Sequence, residues 1–150
     1  MRVFAHRGSS LLWPENTLLA FGRAHEAGAT GFETDLRLSA DGEIVLCHDP
    51  TLERIGHPRV VVAERTAAEL GRLEAVSPDG RLRDRIITLR ALLEAYPDKD
   101  YIFDCKISEP RLFRTLSELL SELAFHERIW FLPWSRLAAE IIELRWPGGR

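Results

Sequence analysis

Four short stretches of this chain end apolar runs in groups capable of acid–base and metal chemistry. FAHRG carries His6 and Arg7, GFETDLRL carries Glu33 and Asp35, VLCHD carries His48 and Asp49, and IFDCK carries Asp104 and Lys106. Glu33 and Asp35 are two apart, so on a strand both carboxylates point the same way. Such a pair suits a hard divalent cation, Mg²⁺ or Ca²⁺, which takes oxygen ligands, and without one the two charges repel. An isolated E-x-D pair is more often a solvated outer face, but Asp104 ends another apolar run and offers a third oxygen ligand. Lys106, two residues on, points the same way.

Histidine completes the pattern. A lone histidine after a strand is usually a structural group. Two of them flanking a carboxylate pair supply the acid and the base that general acid–base catalysis needs near neutral pH. Arg7 adds a forked cation suited to phosphate. His25, His57 and His126 lack such company and read as surface or packing residues. A metal, two histidines, an arginine and a lysine point to phosphoryl transfer. The cation would neutralise the phosphate, one histidine would deprotonate the nucleophile and the other would protonate the leaving alkoxide. No glycine-rich phosphate loop is present, which argues against a nucleotide-hydrolysing fold.

These groups need a scaffold of strands and helices. VFA before His6 reads as a short buried strand and the segment to Pro14 as a loop. Asn16 is the expected N-cap of a helix from Thr17 with Leu18, Leu19, Phe21, Ala24 and Ala27 as its apolar stripe, stopped at Gly28. Phe32–Leu38 is the next strand, with Phe32, Thr34, Leu36 and Leu38 on one face and Glu33, Asp35 and Arg37 on the other. Glu43–His48 is the third. From about residue 50 to 86 prolines, glycines and charges dominate, with one modest helical pattern at Thr66–Leu73. Further helices are expected at Thr88–Tyr96, Pro110–Phe125 and Ser135–Leu144, and further strands at Tyr101–Phe103, running into Asp104-Cys105-Lys106, and at Ile129–Leu132. Alternating strands and helices indicate βα units and a mainly parallel sheet. The second and third strands are too close for a helical crossover. A two-residue hairpin at Asp41-Gly42 would set Asp35 opposite His48; a parallel arrangement would put both at carboxyl ends.

The bulk properties argue against a nucleic-acid or membrane-spanning protein. A chain of 150 residues is about one domain. A net charge of −3 gives no basic surface for neutralising phosphates along a polynucleotide. No apolar stretch reaches the ~20 residues of a membrane-spanning helix, and MRVFAHRGSS lacks the apolar core of a secretory signal. Two cysteines, Cys47 and Cys105, are too few for a disulfide scaffold. They read as small buried hydrophobes in a cytoplasmic, reducing address.

Taken in order, AHRG, PENT with its following AF, EAGA, E-T-D and DGEIVLCHDPTLER resemble the glycerophosphodiester phosphodiesterases, densely from Ala5 to Arg54 and more weakly through TAAEL, ITL, IFDCK and IWFLPWSRLAAEIIELRWP. The resemblance implies a TIM barrel with its site at the carboxyl ends of the strands. It implies His6 and His48 as the acid–base pair, Arg7 on the phosphate, and Glu33, Asp35 and Asp104 on one divalent cation. Lys106 would be a further contact, and the stretch from about 50 to 86 a small insertion covering the site. The implied reaction releases an alcohol and sn-glycerol 3-phosphate from a glycerophosphodiester. Asp104 stands where the family usually has Glu, and the related sphingomyelinase D-like enzymes resemble this chain there, giving a minor alternative. A TIM barrel usually takes ~250 residues and rarely fewer than ~200, so about five strands imply an incomplete barrel. The expectations that follow are a homo-oligomer that completes the barrel, or a non-catalytic relative that binds metal or phosphodiester.

Overall fold

The structure, a computed structural model, describes residues 1–125 and 128–146. Strand β1 (Phe4–His6) leads through a loop into helix α1 (Leu18–Glu26), and β2 (Gly31–Leu38) turns back into β3 (Ile44–Leu46). Then come β4 (Thr51–Leu52), β5 (His57–Val61), α2 (Ala67–Leu70), β6 (Glu74–Val76) and β7 (Arg83–Arg85). The chain continues through α3 (Leu89–Ala95), β8 (Asp100–Cys105), α4 (Pro110–Glu122), β9 (Ile129–Pro133) and α5 (Arg136–Arg145).

Strands β1, β2, β8 and β9 lie side by side in that order, all parallel, and β3 adds to β2 antiparallel. Helix α4 buries Leu112, Phe113, Leu116, Leu119 and Leu120 along one stripe, and these meet Phe32, Leu36, Tyr101 and Phe103 of the sheet in a single core. Thr88 and Ser135 cap α3 and α5 as their side chains accept backbone N–H groups that have no partner within the helix. All of β2 except Arg37 is buried, so the acidic side of that strand is an interior surface rather than a solvated one.

Several sequence expectations shift. Thr17, not Asn16, caps α1, its hydroxyl accepting from the Ala20 N–H, because Asn16 is turned away into the interior. Helix α1 buries Ala20, Phe21 and Ala24, whereas Leu18 and Ala27 are exposed and Leu19 only half-buried. Leu18 and Leu19 lie roughly a third of a turn off that face, and Ala27 is already the C-cap. The β2–β3 hairpin has a three-residue loop with Gly42 at φ 88°, closed by hydrogen bonds from Ser39 N to the Glu43 carbonyl and from Gly42 N to the Ser39 carbonyl. The extra loop residue moves the pairing by one. Asp35 therefore faces Cys47, whose N–H donates to its carbonyl, and does not face His48. β3 ends at Leu46, two residues sooner than expected, and α4 ends at Glu122, where Ala124 takes a left-handed φ of 52°.

The stretch from about 50 to 86 carries more structure than one helical pattern. It forms two small hairpins, β4–β5 and β6–β7. They pack Leu52, Ile55, Val62, Leu70 and Ala75 against Val45 and Cys47 of the main sheet. Strands as short and charged as HPRVV and RDR leave no alternation to read. The His25 ring lies tilted against Tyr96 and His57 Nε2 meets the Glu74 carbonyl, whereas His126 lies outside the described residues. No helix among the described residues is long and apolar enough to cross a membrane. Both cysteines are free and buried, and burial pushes each thiol up to about 12, so they are packing groups.

Candidate functional site

Parallel pairing of β2 with β8 sets Asp35 beside Asp104 and Glu33 beside Ile102. Because Glu33 and Asp35 share one face of β2, all three carboxylates converge, with one oxygen from each within 4.8 Å of the others. All three residues are buried, Asp35 completely. The Lys106 ammonium sits against them, 2.5 Å from Asp104 Oδ2 and 3.2 Å from Asp35 Oδ1. The exposed Trp134 closes the cluster from outside, its indole N–H donating to Asp104 Oδ1 and its ring 4.8 Å from the Lys106 nitrogen.

Two further segments reach the cluster along the edge of β2 that faces away from β8. β1 runs up this edge and ends with His6 against Glu33, while β3 runs down it and leaves Cys47 against Asp35. The two ends approach head-on, which brings His6-Arg7 and His48 toward the same carboxylates although 42 residues separate the histidines in sequence. Arg7 has a left-handed φ of 57° and is followed by Gly8 at 77°. A Cβ on Gly8 would lie 2.6 Å from the Ala20 carbonyl carbon, so only glycine lets the turn rest on α1. This turn aims the Arg7 N–H at Glu33 and places Nε 2.9 Å from Asp35 Oδ2. That N–H is not aligned with the oxygen, so the contact is ionic without a hydrogen bond.

Charge is only partly balanced in this interior. Burial, then the fields of Asp35 and Asp104, push the Glu33 carboxyl up to about 7. Asp35 Oδ1 is buried without a hydrogen-bond partner, Lys106 being near it but poorly aligned. Three converging carboxylates with one orphaned buried oxygen are the donor set that a hard divalent cation satisfies. His6 Nε2 stands 3.8 Å from Glu33, and burial together with Arg7 lowers the His6 pKa against the opposing pull of Asp35 and Glu15.

Six of the seven residues singled out by sequence, His6, Arg7, Glu33, Asp35, Asp104 and Lys106, meet in direct contact. His48 joins them through its neighbour Asp49 and through two residues the spacing did not point to, Arg54 and Glu15. Its Nδ1 is 2.6 Å from Asp49 Oδ1, and Arg54 Nε bonds the other Asp49 oxygen at 2.7 Å. Arg54 also grips Glu15 with two bonds, and Glu15 reaches Arg7 at 3.4 Å. Asn16 is the other addition. Its amide donates to Asp35 Oδ2 and accepts from Thr34, both at 2.8 Å, which ties the loop after β1 to the metal-type cluster. The PENT stretch held Glu15 and Asn16 in view, but only the fold shows their partners. Two cavities open alongside. One of about 590 Å³ is walled by Glu15, Arg54, Ser77 and Arg83, and a more apolar one of about 660 Å³ by His6, Leu11, Leu12 and Trp13.

Residues 6–127 match the glycerophosphoryl diester phosphodiesterase family. The chain belongs to that family. A glycerophosphodiester phosphodiesterase of Caldanaerobacter subterraneus is 37% identical over 134 residues, which is 85% of this chain and 55% of that protein. Among solved structures, a glycerophosphodiester phosphodiesterase from Agrobacterium tumefaciens superposes with a TM-score of 0.87 at 26% identity, covering 100% of this chain and 65% of that one. A phosphodiesterase from Oleispira antarctica, solved in complex with the product sn-glycerol-3-phosphate, gives a TM-score of 0.84 at 27% identity over 98% of this chain and 63% of that one. The five-stranded sheet and its helices are thus part of the TIM-barrel architecture of this family. The chain spans between about half and two thirds of the length of these relatives.

Proposed function

We propose that this family member hydrolyses glycerophosphodiesters to an alcohol and sn-glycerol 3-phosphate, using one divalent cation and the histidine pair His6 and His48. The observation that carries the reading is the buried cluster of Glu33, Asp35 and Asp104 with an unpaired Asp35 oxygen, set between two histidines, an arginine and a lysine. Relatives named for this activity, and one bound to that product, support it.

Glu33, Asp35 and Asp104 would hold the cation, Mg²⁺ or Ca²⁺, which supplies positive charge against the phosphate oxygens. Arg7 lies at the same cluster and presents a planar fork suited to two phosphate oxygens. Lys106, just after β8, adds a positive charge held against Asp104 and Asp35. His48 gives its Nδ1–H to Asp49, since a carboxylate has no proton to offer, and in the neutral ring the lone pair is then on Nε2. One histidine of the pair takes the proton of the attacking group and the other returns a proton to the departing alkoxide. The stretch from about 50 to 86 belongs to the same unit and covers the site, with Arg54 at its start. Two free thiols fit a reducing, cytoplasmic setting.

The test is release of glycerol 3-phosphate from glycerophosphocholine in Mg²⁺ or Ca²⁺ against EDTA. Turnover that disappears in EDTA, in Glu33→Ala and in His48→Ala supports the proposal. Cation binding with no turnover of any glycerophosphodiester sinks it in favour of a chain that only binds.

A further inference from the structure

Arg54 touches none of the carboxylates of the metal-type cluster, yet it links two carboxylates beside it, Glu15 and Asp49. It sits in the short 3₁₀ turn Glu53–Ile55 that opens the excursion. Its Nε bonds Asp49 Oδ2 at 2.7 Å, and Nη1 and Nη2 bond the two oxygens of Glu15 at 2.5 and 2.8 Å. Glu15 is mostly buried in the loop between β1 and α1, at side-chain exposure 15%, so it is a fixed anchor. Asp49 is the half-exposed group, and its second oxygen is the one that meets His48. Burial pushes the Asp49 carboxyl up, but the bonds from Arg54 and His48 prevail and hold it low.

We infer that Arg54 is a positioning residue that acts on His48 through Asp49. It pins Asp49 between a fixed anchor and the imidazole, so that His48 keeps its proton on Nδ1 and presents a bare Nε2. Exposed ion pairs contribute little by themselves. This one differs because a fork satisfies two carboxylates at once, a geometry a lysine cannot reproduce. Without Arg54, Asp49 is free to rotate, its oxygen leaves Nδ1, and both tautomers of His48 are populated. The clamp also makes the excursion part of the catalytic apparatus, since its first turn sets a histidine that follows β3 of the main sheet.

The inference rests on the proposed role of His48, so the experiment has one arm that does not depend on activity. In ¹⁵N-labelled protein, long-range imidazole spectra report which nitrogen of His48 carries the proton. The parent is expected to show a single Nδ1–H tautomer and Arg54→Ala a mixture. In the kinetic arm, Arg54→Ala is expected to lower kcat about ten- to a hundredfold, as loss of a group that orients a ligand does, with KM within about twofold. On an Asp49→Asn background the same change is expected to add less than about twofold, because Arg54 acts through Asp49. Arg54→Gln, which keeps the length and polarity, serves if the alanine variant does not fold. A single Nδ1–H tautomer retained without Arg54, or an undiminished kcat loss on the Asp49→Asn background, overturns the inference. Absence of turnover in the parent with the tautomer result intact would fault the proposed reaction and leave the clamp standing.

Discussion

Replacing Glu33 by Gln should make the protein more stable without a cation and less stable with one. The three carboxylates lie within 4.8 Å of one another. At an effective dielectric of about 20, two unit charges at that distance repel by about 3 kcal/mol. Arg7 and Lys106 offset most of this at Asp35 and Asp104, which they touch directly. Glu33 has only the Arg7 N–H and an exposed histidine, which is why its carboxyl is the one pushed up to about 7. At pH 8 and in EDTA, Glu33→Gln therefore removes a poorly compensated charge and should gain about 1–2 kcal/mol after discounting for relaxation. A cation that binds the folded protein at a hundred times its Kd should stabilise the parent by about 2.7 kcal/mol, or about 5–10 °C in Tm for a chain of this size. The variant, short of one ligand, should gain little. Calorimetric melts in EDTA and in excess Mg²⁺ or Ca²⁺ should therefore cross, the variant higher in EDTA and the parent higher with cation. A parent Tm indifferent to both cations, or a variant that gains as much as the parent, would refute the reasoning.

Other perturbations probe the scaffold. Asn16→Ala leaves Asp35 Oδ2 and the Thr34 hydroxyl without their buried partners, so urea unfolding should show a loss of about 2 kcal/mol; a loss below about 0.5 kcal/mol would contradict that contact. Gly8→Ala forces a left-handed alanine against the Ala20 carbonyl and should cost about 2–4 kcal/mol by the same measurement, with an unchanged midpoint counting against the turn described. Trp134 donates to Asp104, so cation titration should shift its fluorescence, and Trp134→Phe should remove that change while the other tryptophans report none.

The parts of the site that could be read in the sequence are those fixed by strand geometry. E-x-D on β2 and D-x-K on β8 each share a face whatever surrounds them, because side chains repeat every second residue. Thr88 is legible as a cap for a similarly local reason. What escaped depends on contacts distant in sequence. The hairpin loop is held from outside, Asp41 accepting the Ala67 N–H and the Ala40 N–H donating to the Arg65 carbonyl, and its pairing is shifted by one residue. Asn16 and Thr17 can both cap a helix. Asn16 is diverted by a carboxylate 19 residues away, and nothing in the local pattern marks that choice. Arg54 ends the DGEIVLCHDPTLER stretch, but only folding sets it between Asp49 and Glu15.

The central claim is that Glu33, Asp35 and Asp104 hold a divalent cation while His6 and His48 flank the phosphate. A crystal structure with Mn²⁺ standing in for Mg²⁺ and with sn-glycerol 3-phosphate tests it directly. The expected result is an anomalous peak about 2–2.5 Å from one oxygen of each carboxylate, with the phosphate against Arg7 and between the two imidazoles. An ion bound elsewhere, or a phosphate away from the histidines with Lys106 still closed on Asp104, would contradict the account.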